Sequence, residues 1–209
     1  MTLPRIALVL PAVFAFACAP RAPDPPGPAP APGALAVEDS VWAAVLDSLY
    51  VHRTTRLLVV DGITSDRFRR DRLVADAVRA FSAIPGVEPY TVESFWARNL
   101  EVRSITSLPR TRVPLVLVSE AAIDSLPDGI DSVRSGEPML FWRAFHERYP
   151  GSSGLITLTR PGFNAARTQA ILNVDRGCGG LCGDGTIILL ARDAAGRWRV
   201  VHTRGTWVS

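Results

Sequence analysis

The sequence predicts an α+β domain, with N-terminal helices packed on a C-terminal four-stranded antiparallel meander. Three observations carry this reading. Up to residue 150, most apolar residues recur at helical spacing. From Gly154 onward, four strand-like runs follow one another across short Gly-bearing breaks, the pattern of successive hairpins. The hydrophobic content, 47% of 209 residues, is enough for one packed core.

The chain opens on a leader-like segment. Arg5 precedes residues 6–17, twelve mostly apolar residues. That is too short for a membrane-spanning helix, which needs about 20, and it reads as a signal peptide over residues 1–17. Ala15-Phe16-Ala17-Cys18 resembles the lipobox of bacterial lipoproteins, with Ala15 where Leu is usual. The resemblance implies a lipidated Cys18. Residues 18–35 then read as a Pro/Ala-rich tether, because so many prolines allow neither helix nor sheet and keep the chain extended. Ala19 after the cysteine resembles an outer-membrane sorting pattern.

A single globular domain is expected over residues 36–209. Residues 38–52 predict a helix with Trp42, Val45, Leu46 and Leu49 on one face and Asp39 or Ser40 as cap. The apolar run 56–60 predicts a buried strand. Residues 69–82 return to helical spacing through Leu73, Val74, Ala77, Val78 and Phe81, and Pro85-Gly86 ends them. A further helix is predicted over 91–100, capped by Thr91. Residues 114–119 are strand-like, and a brief helical turn follows through Leu126. Residues 138–149 form the clearest helix, with Pro138 suited to its first position. Its stripe of Phe141, Trp142, Phe145 and Tyr149 reads as core. The meander strands are expected at 154–160, 167–175, 186–192 and 197–203. In the second, Ala170, Leu172 and Val174 face one way.

Charge excludes one class of function. All 23 basic residues are Arg, and from Gly33 onward 21 Arg face 19 acids. The signs alternate closely, as in Asp66-Arg67-Phe68-Arg69-Arg70-Asp71-Arg72, so no dense basic stripe exists for nucleic acid.

The sharpest local feature is Gly177-Cys178-Gly179-Gly180-Leu181-Cys182-Gly183-Asp184-Gly185. Three chemistries are open to its cysteines. A Cys178–Cys182 disulfide suits an oxidising compartment, where Cys18 is spent on lipid and an even pair remains. Metal thiolates would need Asp175, Asp184 or His202 to complete the shell, since no second cysteine pair exists. A reactive thiol would need a nearby base, and redox pairs favour two intervening residues over three. A phosphate cradle is disfavoured, because the loop joins two strands and lacks the Lys-Ser/Thr of a P-loop. Among the histidines, His52 ends the first helix, His146 lies beside the aromatic stripe, and His202 alternates with Trp198 and Val200 and is expected to face inward. Asp61-Gly62-Ile63-Thr64 places a carboxylate at a strand end, where active sites often sit, though by itself it is a turn. No catalytic signature such as HExxH or GxSxG is present.

The motifs Phe141-Trp142-x-x-Phe145, Tyr149-Pro150-Gly151-Ser152-x-Gly154, Gly162-Phe163-Asn164, Thr168-Gln169-Ala170, Cys178-Gly179-x-Leu181-Cys182-Gly183-x-Gly185, Gly196-x-Trp198-x-Val200 and Trp207-Val208-Ser209 together resemble an uncharacterised group of bacterial secreted or lipoprotein domains. The resemblance covers residues 138–209 and implies a shared fold and loop without an activity. The Gly-x-Trp-x-Val run also resembles the last hairpin of cone-shaped, NTF2-like sheets.

The expected function is a non-catalytic domain that binds a ligand or a protein partner, lipid-anchored at the cell envelope, facing the periplasm in a diderm cell, or else secreted. The candidate binding residues are Trp142, Phe163, Asn164, Gln169 and His202, in a pocket between helix 138–149 and the sheet near the disulfide. The alternatives are a hydrolase-like enzyme near the Gly/Cys loop, using Asn164, Gln169, His202 or a cysteine, and a structural envelope component. No cofactor and no metal are expected. The expected partners are the membrane, through the anchor, and an envelope protein or small ligand.

Overall fold

Strand β1 (Leu57–Asp61) holds the centre of a parallel trio. β2 (Leu115–Val118) and β3 (Ser152–Leu158) flank it on either side, both parallel to it. Leu58, Val59 and Val60 are all buried, so both faces of β1 are covered. A continuous apolar run, unlike an alternating one, is what such a strand requires.

We analysed a computed structural model that describes residues 32–65, 79–107, 109–127 and 139–209. The remaining strands are β4 (Gly162–Phe163), β5 (Gln169–Gly179), β6 (Cys182–Arg192) and β7 (Trp198–Val208), all antiparallel to their neighbours. The seven strands form one sheet of order β2-β1-β3-β5-β6-β7, with β4 paired to β5 off this path. The helices are α1 (Pro32–Leu49), α2 (Pro89–Arg98), α3 (Glu120–Asp124) and α4 (Met139–Arg148), and residues 79–82 are also helical.

This mixed sheet overturns the expected helices on a four-stranded antiparallel meander. The runs at 56–60 and 114–119 are strands, as their composition predicts, but they belong to the same sheet as the C-terminal ones. Parallel strands need long crossovers and leave no hairpin signal between them, so local pattern does not reveal their partners. The C-terminal hairpin is also longer than expected. β5 and β6 stay paired from Gln169↔Ala191 to Gly179↔Cys182, so the Gly/Cys loop is mostly strand and only Gly180-Leu181 turns.

Each face of the sheet has its own cover. On one, Val41, Trp42, Val45 and Leu46 of α1 pack with Leu58, Val60, Ile156, Leu158, Leu172, Val174, Ile188 and Leu190. Burying each such side chain is worth about 1.5–3 kcal/mol. The other face carries two separate clusters. α3 and α4 supply Ile123, Phe141, Trp142 and Phe145 over Val59 and Leu155. Residues 79–82 and α2 supply Phe81, Val92 and Phe95 over Ile171, Ile187 and Leu189. The buried Glu38 of α1 pairs with Arg98 at the end of α2 and with Arg160 after β3, tying the two sides together at one edge.

Helix boundaries differ from the expectations in two instructive places. α1 begins at Pro32, ahead of residue 38. α2 begins at Pro89, with Glu88 in the capping position and no side-chain cap of its own. Thr91, the expected cap, is buried inside the helix, and Leu100 is exposed beyond its end. The expected signal peptide, Cys18 and most of the tether lie outside the described residues, as do Pro138 and much of the helix expected at 69–82. Among the described residues, no helix is long and apolar enough to cross a membrane.

Candidate functional site

The gap between the two clusters is where the sheet can receive a ligand. From β1 the chain crosses to β2 on one side, then returns past β1 to β3 on the other. The strand order therefore reverses between β1 and β3, and ligands of such sheets bind outside the carboxyl ends at that point. A cleft of about 360 Å³ occupies this position.

Four carboxylates line it. Asp61 ends β1, Glu120 and Asp124 come from α3 just past β2, and Asp175 lies on β5 opposite Thr157 of β3. Thr64, Ser65 and Thr157 add hydroxyls, Ile63, Val102 and Ile123 add apolar wall, and no basic side chain is among the lining residues described. Burial pushes the Asp61 carboxyl up to about 6, and the charge on Glu120 pushes the same way; a hydrogen bond from the Ile63 N–H opposes both. Asp175 is fixed in place, accepting from Trp207 Nε1 at 2.6 Å and from Asn173 Nδ2 at 2.9 Å. Gly185 stands between Asp175 and Trp207 in the register, and a Cβ there would strike the indole nitrogen. Ser119 caps α3 and so sets the start of the segment bearing Glu120 and Asp124.

A second cleft, about 460 Å³, opens at the other end of the same strands. Its lining includes His52, His146, Ser152, Ser153, Arg176 and both cysteines of the hairpin. Cys178 and Cys182 are joined as a disulfide, their Cα atoms 5.0 Å apart. His146 Nε2 lies 3.0 Å from the carbonyl oxygen of Cys178.

The expected binding residues do not assemble into one pocket. Phe163, Asn164 and Gln169 stand at the start of β5 and the disulfide at its end. Gln169 and Cys178 are nine steps apart along the strand, about 30 Å at the usual rise. Asn164 is spent locally: its Oδ1 accepts from the Thr168 and Gln169 N–H groups, and its Nδ2 donates to Glu88 and Thr168. Gln169 staples the start of α2, accepting from the Glu88 N–H and the Thr91 hydroxyl and donating to the Gly86 carbonyl. Phe163 packs against Trp198 in the α1-side core. Trp142 is buried under α4 and rests against Gly177. His202 lies across from Leu189 while Val200 lies across from Leu190, because an irregularity in β7 takes up Val201. His202 therefore faces away from Val200, contrary to the expected alternation.

Among the residues of the acidic cleft, sequence reasoning singled out Asp61 as a strand-end carboxylate. It named Asp175 only as a possible metal ligand and missed Glu120 and Asp124. A signal for these two existed in the acids directly after the apolar run 114–119, since β1 and β2 end side by side (Asp61↔Val118). Among the described residues, no group of three or more His, Cys, Asp or Glu side chains is placed to hold a metal ion.

No family model, curated protein or solved structure matches this chain.

Proposed function

We propose that the chain is an envelope-tethered, non-catalytic binding domain whose carboxyl-end cleft takes a small ligand bearing a cationic group. The observation that carries this reading is the cleft's lining, in which four carboxylates and no basic side chain are found among the described residues, at the switch point of the parallel strands. Like charges held together raise one another's proton affinity, and a cation relieves that repulsion. The adjoining Ile63, Val102 and Ile123 suit the carbon skeleton of an organic amine. The leader, Cys18 and the proline tether support placement at the envelope.

The test is calorimetric titration with 1,4-diaminobutane and with a quaternary ammonium ion at pH 7.5. Saturable binding that falls at least tenfold in the Glu120→Gln/Asp124→Asn variant is expected. Absence of binding by either cation, or binding indifferent to that variant, sinks the reading. Palmitate labelling that survives Cys18→Ala would end the anchoring part of it.

One observation favours a second reading. A carboxyl held near 6 is suited to general acid–base work, so Asp61 could serve an enzyme. Turnover of a glycoside or ester by the purified chain, abolished by Asp61→Asn, would replace the non-catalytic reading.

A further inference from the structure

We propose a second binding site, of opposite preference: the cleft beside the disulfide takes a small oxyanion, a phosphate or a carboxylate. This goes beyond the cation-binding reading and does not depend on it.

The argument begins with two hydroxyls. Ser152 and Ser153 open β3, where the chain turns out of α4, and both line the cleft. Their Oγ atoms are buried, and neither has a hydrogen-bond partner in the protein. Buried hydroxyls without partners are costly, about 1–3 kcal/mol each, and are rare in native folds unless something else satisfies them. The cleft is the space next to both residues, and an acceptor bound in it could satisfy whichever hydroxyl turns toward it.

The rest of the lining fits that acceptor. Arg176 spends Nε and Nη2 on Asp184 Oδ1, at 2.8 and 2.5 Å, and its Nη1 makes no bond among the described residues. The guanidinium stacks over Tyr50, 5.7 Å from the ring centre, which fixes its plane. His52 and Thr54 add exposed groups able to donate. No carboxylate is among the lining residues described, in contrast to the four at the opposite end. Asp184 holds two of the Arg176 donors, so an oxyanion would draw on its Nη1 together with the neighbouring hydroxyl and imidazole donors. The disulfide forms one wall, so the hairpin tip is held against the cleft.

The experiment uses the full chain and three probes: inorganic phosphate, acetate, and vesicles with or without anionic phospholipid. Amide chemical shifts are followed across the titrations. Saturable movement of Ser152, Ser153 and Cys178 with phosphate or acetate is expected, with residues around Asp61 unmoved. The Ser152→Ala/Ser153→Ala variant should weaken this binding at least tenfold and leave amine binding unchanged. If that variant fails to fold, the location of the shifts in the unmodified protein decides the question. No saturable response to either free anion, a response centred elsewhere, binding that survives the double variant, or binding only to anionic vesicles would each overturn the proposal.

Discussion

The two ends of the parallel strands differ in chemistry although the same backbone builds both. At the carboxyl ends of β1 and β3, Asp61, Glu120, Asp124 and Asp175 line the cleft. At the amino ends, Ser152, Ser153, Arg176 and two histidines line the cleft, and a disulfide closes the hairpin beside it. The acidic end owes its position to topology, because the strand order reverses between β1 and β3. The donor-rich end owes its shape to the β5–β6 hairpin and to the turn that leads from α4 into β3. One end is therefore a property of the sheet order and the other of local chain geometry. Variants that disturb hairpin and turn should damage only the amino end.

The largest effect is expected at Gly154. Its φ of 115° is a conformation that side chains with a Cβ rarely adopt. An added Cβ would also collide with the Gly177 carbonyl and come within 2.8 Å of the Cys178 Cβ. Gly154→Ala must therefore push β3 from β5 beside the disulfide, and a loss of about 3 kcal/mol or more is expected in chemical denaturation. A loss under about 1 kcal/mol would show that the amino end yields more easily than its packing implies.

Removing the disulfide comes next. Closing a five-residue ring is worth about 2 kcal/mol in the chain-entropy account. Cys178→Ser with Cys182→Ser should lower stability by about that amount and leave amine binding at the other end intact. The paired strands on either side persist without it, so the variant should still fold. A change in amine affinity would mean that the two ends are coupled, and the contrast drawn between them would fail.

Much of this contrast could be read in the sequence, but unevenly. The Gly/Cys segment announced its disulfide because both cysteines lie within five residues of each other. Asp61 was visible as a carboxylate after an apolar run. Glu120, Asp124 and Asp175 could not be joined to it, since they meet only through the parallel pairing of β1 with β2 and the pairing of β3 with β5. Residues chosen for polar character in turns, Asn164 and Gln169, proved to be the internal fastenings of α2 and the β4–β5 turn. Short-range pattern cannot tell a side chain that offers its hydrogen bonds from one that has spent them. His202 shows a further limit, because one irregular position in β7 reverses the face that alternation assigns.

The smallest effect should come from Asp61→Asn, and it tests the acidic end most directly. The folded protein holds this carboxyl at about 6 against an ordinary value of 3.8. The native state thus binds the proton more tightly than the unfolded chain does. The associated stability is fully present below about pH 4 and is lost as the pH rises through 6. The full displacement would amount to about 3 kcal/mol at roughly 1.4 kcal/mol per pH unit. Water reaching the half-buried carboxyl reduces that to about 1–2 kcal/mol. Asparagine keeps an acceptor for the Ile63 N–H and carries no charge, so the variant should be the more stable by that margin at pH 7.5 and equal to the parent near pH 4. Urea denaturation at the two pH values measures the difference. Amine binding supplies the complementary reading: it should strengthen through pH 6 in the parent and lose that step in the variant, while phosphate binding at the other end shows no step that depends on Asp61. A variant less stable than its parent at pH 7.5 would mean that the Asp61 charge is already compensated within the fold, and the acidic end would then have no need of a cation.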